Sequence, residues 1–175
     1  MRHRGVRILR LLLLTGLVAC TGTPSVGVGA RAPDFRAAVV GAPVSETRTI
    51  ADYEGEVVLI NLWATWCVPC VTEMPSIQRL YDRYRDQGLR VVGIAVDDPP
   101  YGERVASWVK EHGITFEILH EGSGKVELDY RARGIPATYI IGRDGRIRVI
   151  RQGAADWDSP ASRDVISQLL RPDTP

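Results

Sequence analysis

Two thiols stand three residues apart in Trp66-Cys67-Val68-Pro69-Cys70, with an aromatic before the first and a proline between them. A cysteine pair at this spacing does redox chemistry or forms half of a metal site. A zinc site needs a second pair or two histidines at ligand spacing. The only histidines beyond the N-terminal segment, His112 and His120, fall on different predicted elements. A c-type haem attachment needs a histidine directly after the second cysteine, where this chain has Val71. Thiol–disulfide exchange is the remaining chemistry, and it runs through a thiolate.

The flanking elements suit that chemistry. Val57 to Trp63 is a continuous apolar, β-branched run that reads as a buried strand. A helix is predicted from Pro69, with proline tolerated in its first turn. Its apolar stripe is Ile77, Leu80, Tyr81 and Tyr84, and Gly88 ends it. Pro75 lies inside this pattern and is expected to kink the helix or delay its regular part. A strand that delivers the first cysteine to a helix N-terminus brings it to unpaired N–H groups and partial positive charge, both of which favour the thiolate.

The other elements follow in order. Asp34 to Val40 and Val44 to Ile50 read as two short strands, and Leu89 to Val96 as a second buried strand broken by Asp97-Asp98-Pro99-Pro100. Glu103 to His112 reads as a helix, Phe116 to Leu119 as a strand and Lys125 to Arg133 as a short helix. Ala137 to Ile141 and Arg146 to Arg151 form a hairpin about Arg143-Asp144-Gly145. A last helix opens at Ser159-Pro160 and runs through Leu170. The order is a βαβ unit, then a β-hairpin and a closing helix. Asp97 and Asp98 read as loop and Trp108 as packing.

The 175 residues suffice for one domain with a core. They carry 22 basic and 21 acidic residues, or 18 against 21 once Arg2, Arg4, Arg7 and Arg10 are set aside. A mildly acidic domain gives no electrostatic reason to expect nucleic acid. Residues 1–20 read as an export signal: basic residues, the apolar run Leu11 to Leu14, then Leu17-Val18-Ala19-Cys20, which resembles the bacterial lipobox. Cys20 is thus the expected lipidation site, against an ordinary signal peptide with a chance cysteine or an uncleaved anchor. All three place the domain outside the cytoplasm. Residues 21–33 are rich in Gly, Pro, Ser and Thr and read as a flexible tether spanning about 20 Å. Residues 34–175 make up the domain. A lipidated Cys20 leaves Cys67 and Cys70 as the remaining cysteines.

Trp63-Ala64-Thr65-Trp66-Cys67-Val68-Pro69-Cys70, then Glu73-Met74-Pro75 and much later Gly134-Ile135-Pro136-Ala137-Thr138, resemble the thioredoxin superfamily. More closely they resemble its membrane-tethered TlpA/ResA-like thiol–disulfide oxidoreductases, over roughly Pro33 to Leu170. The resemblance implies an α/β thioredoxin fold, a central mixed sheet flanked by helices, with an N-terminal β-hairpin extension. It implies no cofactor. Cys67 matches the attacking cysteine, which should be the more exposed and have the lowered pKa, and Cys70 the resolving one. Pro136 matches a cis-proline facing the pair, which would turn the backbone of Ile135 toward an extended substrate; its bland reading is a strand-start proline. Trp66 matches an aromatic that shields the site, and Trp63 is family aromatic or core. Glu73 matches a glutamate that handles the proton of Cys70, where the bland reading is an exposed first-turn carboxylate. Many thioredoxins carry a buried aspartate six positions before the first cysteine, and this chain has Asn61 there, which moves the proton route elsewhere.

The resemblance further implies cysteine-containing exported proteins as substrates, apocytochrome c among the candidates, and a membrane thiol carrier as electron donor. Two other readings of the same fold are a peroxiredoxin-like peroxidase and a copper-delivery module. The first needs a Thr-x-x-Cys site, whereas Thr65 is two residues before Cys67. The second usually spaces its cysteines by three residues and adds a late histidine, and the sequence has neither.

Overall fold

The computed structural model describes residues 26–171 apart from 44, 100 and 101. The expected export signal and Cys20 lie outside the described residues. Among the described residues no helix is long and apolar enough to cross a membrane.

Seven strands form one mixed sheet: β1 (Ala37–Val39), β2 (Thr47–Arg48), β3 (Val57–Trp63), β4 (Leu89–Ala95), β5 (Glu117–His120), β6 (Ala137–Ile141) and β7 (Ile147–Gln152). Their order is β2-β1-β5-β4-β3-β6-β7. β3, β4 and β5 are parallel, and β6, β7, β1 and β2 each pair antiparallel with a neighbour. The helices are α1 (Val68–Tyr84), α2 (Gly102–Glu111), α3 (Lys125–Asp129) and α4 (Pro160–Leu170). The architecture is the expected thioredoxin-type α/β sheet, with the β1–β2 hairpin added at one edge.

β3 is buried along its whole length because both faces of the sheet are covered. Val57, Leu59 and Trp63 point to the face packed by α1, α2 and α4. Val58, Ile60 and Leu62 point to the other, where Phe35, Tyr53, Val126 and Tyr130 pack. Each fully buried Leu or Ile here contributes about 1.5–3 kcal/mol, which anchors β3 in the core. Asn61 is the polar exception, and its face of the strand turns it toward α1.

Several expectations change. α1 is continuous through Pro75, without the delay predicted for it. Pro75 sits on the exposed side of the helix, where water can meet the carbonyl that loses its N–H partner. The apolar stripe is as read, with Met74 added. The helix tightens into a 3-10 turn at Arg85–Gln87 before Gly88, whose φ of 97° only glycine adopts readily. The two N-terminal strands are shorter than expected. Asp34 Oδ1 accepts from the N–H groups of Phe35 and Ile50, and the Asp52 carboxylate accepts from the backbone N–H of Thr49, so both ends are capped as loop. Residues 26–33, read as tether, are docked: Gly29 and Ala32 donate to Ile147 and Gly145 carbonyls, and Ile147 donates to Ala30. Backbone pairing, with Val26 and Ala32 against the second core, outweighs the flexible composition.

Candidate active site

The end of β3, the first turn of α1 and the start of β6 meet at one end of the sheet. Cys67 is the N-cap of α1, and the Cys70 N–H lies 3.3 Å from Cys67 Sγ. The two sulfurs are bonded at 2.07 Å. Cys67 is 5% exposed and Cys70 not at all, so the expected order of exposure holds by a narrow margin. The Ile135–Pro136 peptide is cis, and Cys67 Sγ lies 3.8 Å from the Ile135 carbonyl oxygen. Opposite the disulfide there is thus backbone, half-buried at Ile135. Trp66 and Val68 flank Cys67 and are largely exposed. Trp66 presents an apolar surface directly before the nearly buried Cys67. Trp63 is core, in contact with Trp108 at 4.8 Å between ring centroids.

Glu73 is buried, not exposed on the helix. Strand register explains what it meets. Asn61 of β3 is directly opposite Thr138 of β6, so their side chains stand together on the α1 face. Asn61 Nδ2 donates to Thr138 Oγ1 at 2.9 Å and to Glu73 Oε1 at 2.8 Å. Glu73 Oε2 accepts from the Ala155 N–H at 3.0 Å and Trp157 Nε1 at 3.3 Å. Burial pushes the Glu73 carboxyl above its ordinary range, and the bonds from Ala155, Asn61 and Trp157 pull it back only in part. A surface groove of about 380 Å³, lined by Thr72, Glu73, Ser76 and Ala155 among others, opens beside it.

Two residues escaped the sequence reading. Trp157 comes from the loop before α4 and caps Glu73; nothing local ties it to a helix more than eighty positions away. Asp97 lies in the loop expected there, but it is not solvent-facing. It is 1% exposed and holds Thr65, two positions before Cys67, through the Thr65 N–H and hydroxyl. The signal was an aspartate directly after a buried parallel strand, where side chains at strand ends commonly face a site. Asp98 is exposed loop and Trp108 packing, as read. Among the described residues no three of His, Cys, Asp or Glu gather as a metal site.

A parallel strand that ends in Cys-x-x-Cys at a helix N-terminus, faced by a cis-proline, defines a thioredoxin-fold dithiol protein. The AhpC/TSA family profile matches residues 28–150, and the chain belongs to that family of the thioredoxin superfamily. It is 37% identical over 132 residues to the thiol-disulfide oxidoreductase ResA of Oceanobacillus iheyensis, covering 75% of this chain and 68% of that one. It is 30% identical over 156 residues to ResA of Geobacillus thermodenitrificans, covering 83% and 87%. Its fold matches a thioredoxin-family thiol:disulfide interchange protein from Chlorobium tepidum TLS with a TM-score of 0.67, over 83% of this chain and 99% of that one, at 22% identity. The protein is a thiol–disulfide oxidoreductase whose redox pair is Cys67–Cys70.

Proposed function

We propose that this oxidoreductase works outside the cytoplasm as a reductant of exported proteins, held to the membrane by lipid on Cys20. The reading of residues 1–20 as an export signal with a lipobox supports the location, and the likeness to proteins named ResA supports the activity. Apocytochrome c, before haem attachment, is the candidate substrate. A membrane dithiol carrier returns the protein to its reduced form.

The observation that carries the mechanism is the buried Glu73 in the first turns of the helix that begins at the disulfide. In the reduced protein the Cys67 thiolate, stabilised by the helix N-terminus, attacks one sulfur of a substrate disulfide. That S–S bond breaks, and the leaving sulfur departs as a thiolate that water protonates. The backbone of Ile135, before Pro136, pairs with the substrate segment, and Trp66 gives it an apolar rim. Glu73 then takes the proton of Cys70, and the Cys70 thiolate attacks Cys67 Sγ in the mixed disulfide. The second substrate thiolate leaves, and Cys67 and Cys70 end bonded as in this structure. The groove beside Glu73 gives its proton a route to water.

The test is trapping. A Cys70→Ala variant expressed in the source organism should accumulate mixed disulfides through Cys67, and Cys67→Ser should trap none and lose insulin reduction. Mixed disulfides absent under oxidising growth would overturn the exchange cycle. A measured potential as high as that of a disulfide-forming catalyst would overturn the reductant direction, since 30 mV is only about 1.4 kcal/mol for this couple.

A further inference from the structure

Asp97 is a buried acid in a loop, and its backbone is fixed from three sides. Val96 N–H donates to the Trp63 carbonyl at 2.8 Å, which ties the end of β4 to the end of β3. The Asp97 carbonyl accepts from His120 Nε2 at 2.8 Å; a carbonyl only accepts, so that ring nitrogen carries the hydrogen. On the third side Gly122 leaves no room to spare: a Cβ there would stand 2.4 Å from the Asp97 oxygen. Side chains and backbone from the ends of three parallel strands thus converge on one aspartate.

Its carboxylate makes three contacts, all to Thr65. Oδ1 accepts the Thr65 hydroxyl at 2.5 Å, and the Thr65 N–H lies 3.0 Å from Oδ2 and 3.3 Å from Oδ1. A carboxylate is acceptor-only and takes both donors of one residue at once; an amide would have to offer an N–H to one of them. Bonds to an ionised group are about twice as strong as neutral ones. Among the described residues no cation pairs with Asp97. Both donors that meet this buried side chain therefore come from Thr65.

Thr65 is where that rigidity is delivered. Cys67 N–H donates to the Ala64 carbonyl at 3.1 Å, so residues 64–67 form a turn with Thr65 and Trp66 at its centre. That turn ends on Cys67, the N-cap of α1. We propose that Asp97, acting through Thr65, is a positioning residue for Cys67: it fixes the turn so that the sulfur stays on the helix N-terminus and opposite Ile135 throughout exchange. This role requires only that Cys67 be the attacking sulfur, and is independent of substrate and of the direction of electron flow.

The experiment compares wild type with Thr65→Val, Thr65→Ser, Asp97→Ala and the Asp97→Ala/Thr65→Val double variant. Its readouts are the exchange rate of the reduced protein with a small aromatic disulfide, the pH profile of iodoacetamide alkylation and the melting temperature. Thr65→Val keeps size and loses one bond, so it should fold. It should exchange about tenfold more slowly and alkylate at higher pH, because a loosened N-cap stabilises the thiolate less; misplacement by 1 Å is worth up to about 100-fold. Thr65→Ser should restore both toward wild type. The double variant should be no slower than Asp97→Ala, since both changes break one link. If Thr65→Val keeps the wild-type rate and profile and only melts lower, the bond is structural and the proposal falls. Additive losses in the double variant would also overturn it. Mass mapping of the alkylated cysteine tells this failure apart from an error in naming Cys67 as the nucleophile.

Discussion

Replacing Glu73 by glutamine removes one proton site from the interior and changes little in shape. Oε2 carries two of the donors, Ala155 N–H and Trp157 Nε1–H, and Oε1 carries the third, from Asn61. The glutamine carbonyl suits the first corner, and its NH2 then faces Asn61. If Asn61 turns its amide over, its Oδ1 accepts from that NH2 and from the Thr138 hydroxyl, but its own NH2 then stands buried where no partner lies. One buried amide is left unpaired either way, so the cost near neutral pH should be about 1–3 kcal/mol. Glu73→Ala is different. It strands two buried donors, from Asn61 and Trp157, and the half-buried Ala155 N–H at about 1–3 kcal/mol each, so a loss of roughly 3 kcal/mol or more follows, a large share of the 5–15 kcal/mol typical of a domain. The pH dependence has a definite sign. Burial raises the folded-state pKa of Glu73 above its ordinary 4.5. The stability linked to this group is therefore full below about pH 4.5 and declines as pH rises through the folded value. Urea unfolding of the oxidised protein from pH 4 to 8 should show wild type losing stability relative to Glu73→Gln as pH rises. In the reduced protein the loss of the proton acceptor should slow resolution of a mixed disulfide by about 100-fold. Parallel stability curves would refute a buried titrating Glu73. Equal resolution rates would refute its role as base.

Two further outcomes follow from packing. Gly122→Ala should cost about 1–3 kcal/mol in urea unfolding, because its Cβ meets the Asp97 backbone rather than a movable side chain, and it should slow exchange as Thr65→Val does. Ile77→Ala, fully buried between α1 and the sheet, should lower stability by about 2–5 kcal/mol while leaving the alkylation profile of Cys67 in place, since it touches packing and not the turn.

Much of the site was legible because it is local. Cys67 and Cys70 are three residues apart at the joint of a strand and a helix, and the helix N-terminus acts on its own first residues. The strand runs, the hairpin about Asp144-Gly145 and the Ser159 N-cap are likewise short-range patterns, and the Ser159 hydroxyl does accept from the Ser162 N–H. Pro75 misled because helix interruption depends on which side of the helix faces water. Residues 26–33 misled because composition measures freedom in the unfolded chain, whereas pairing with the β6–β7 turn removes it.

By itself the sequence determined the βαβ unit with its following hairpin, the cysteine pair and the helix that presents it, since each rests on periodicity or spacing over a few residues, and resemblance to a known family supplied the fold class. Only the tertiary structure decided the environments of the charged groups. Asn61 and Thr138 are 77 positions apart and become neighbours through strand register, Trp157 reaches Glu73 across 84, and Asp97 reaches Thr65 across 32. A carboxyl group's proton affinity and its grip on a neighbour depend on burial and on donors within about 3 Å. Those distances come into being only when the sheet is assembled.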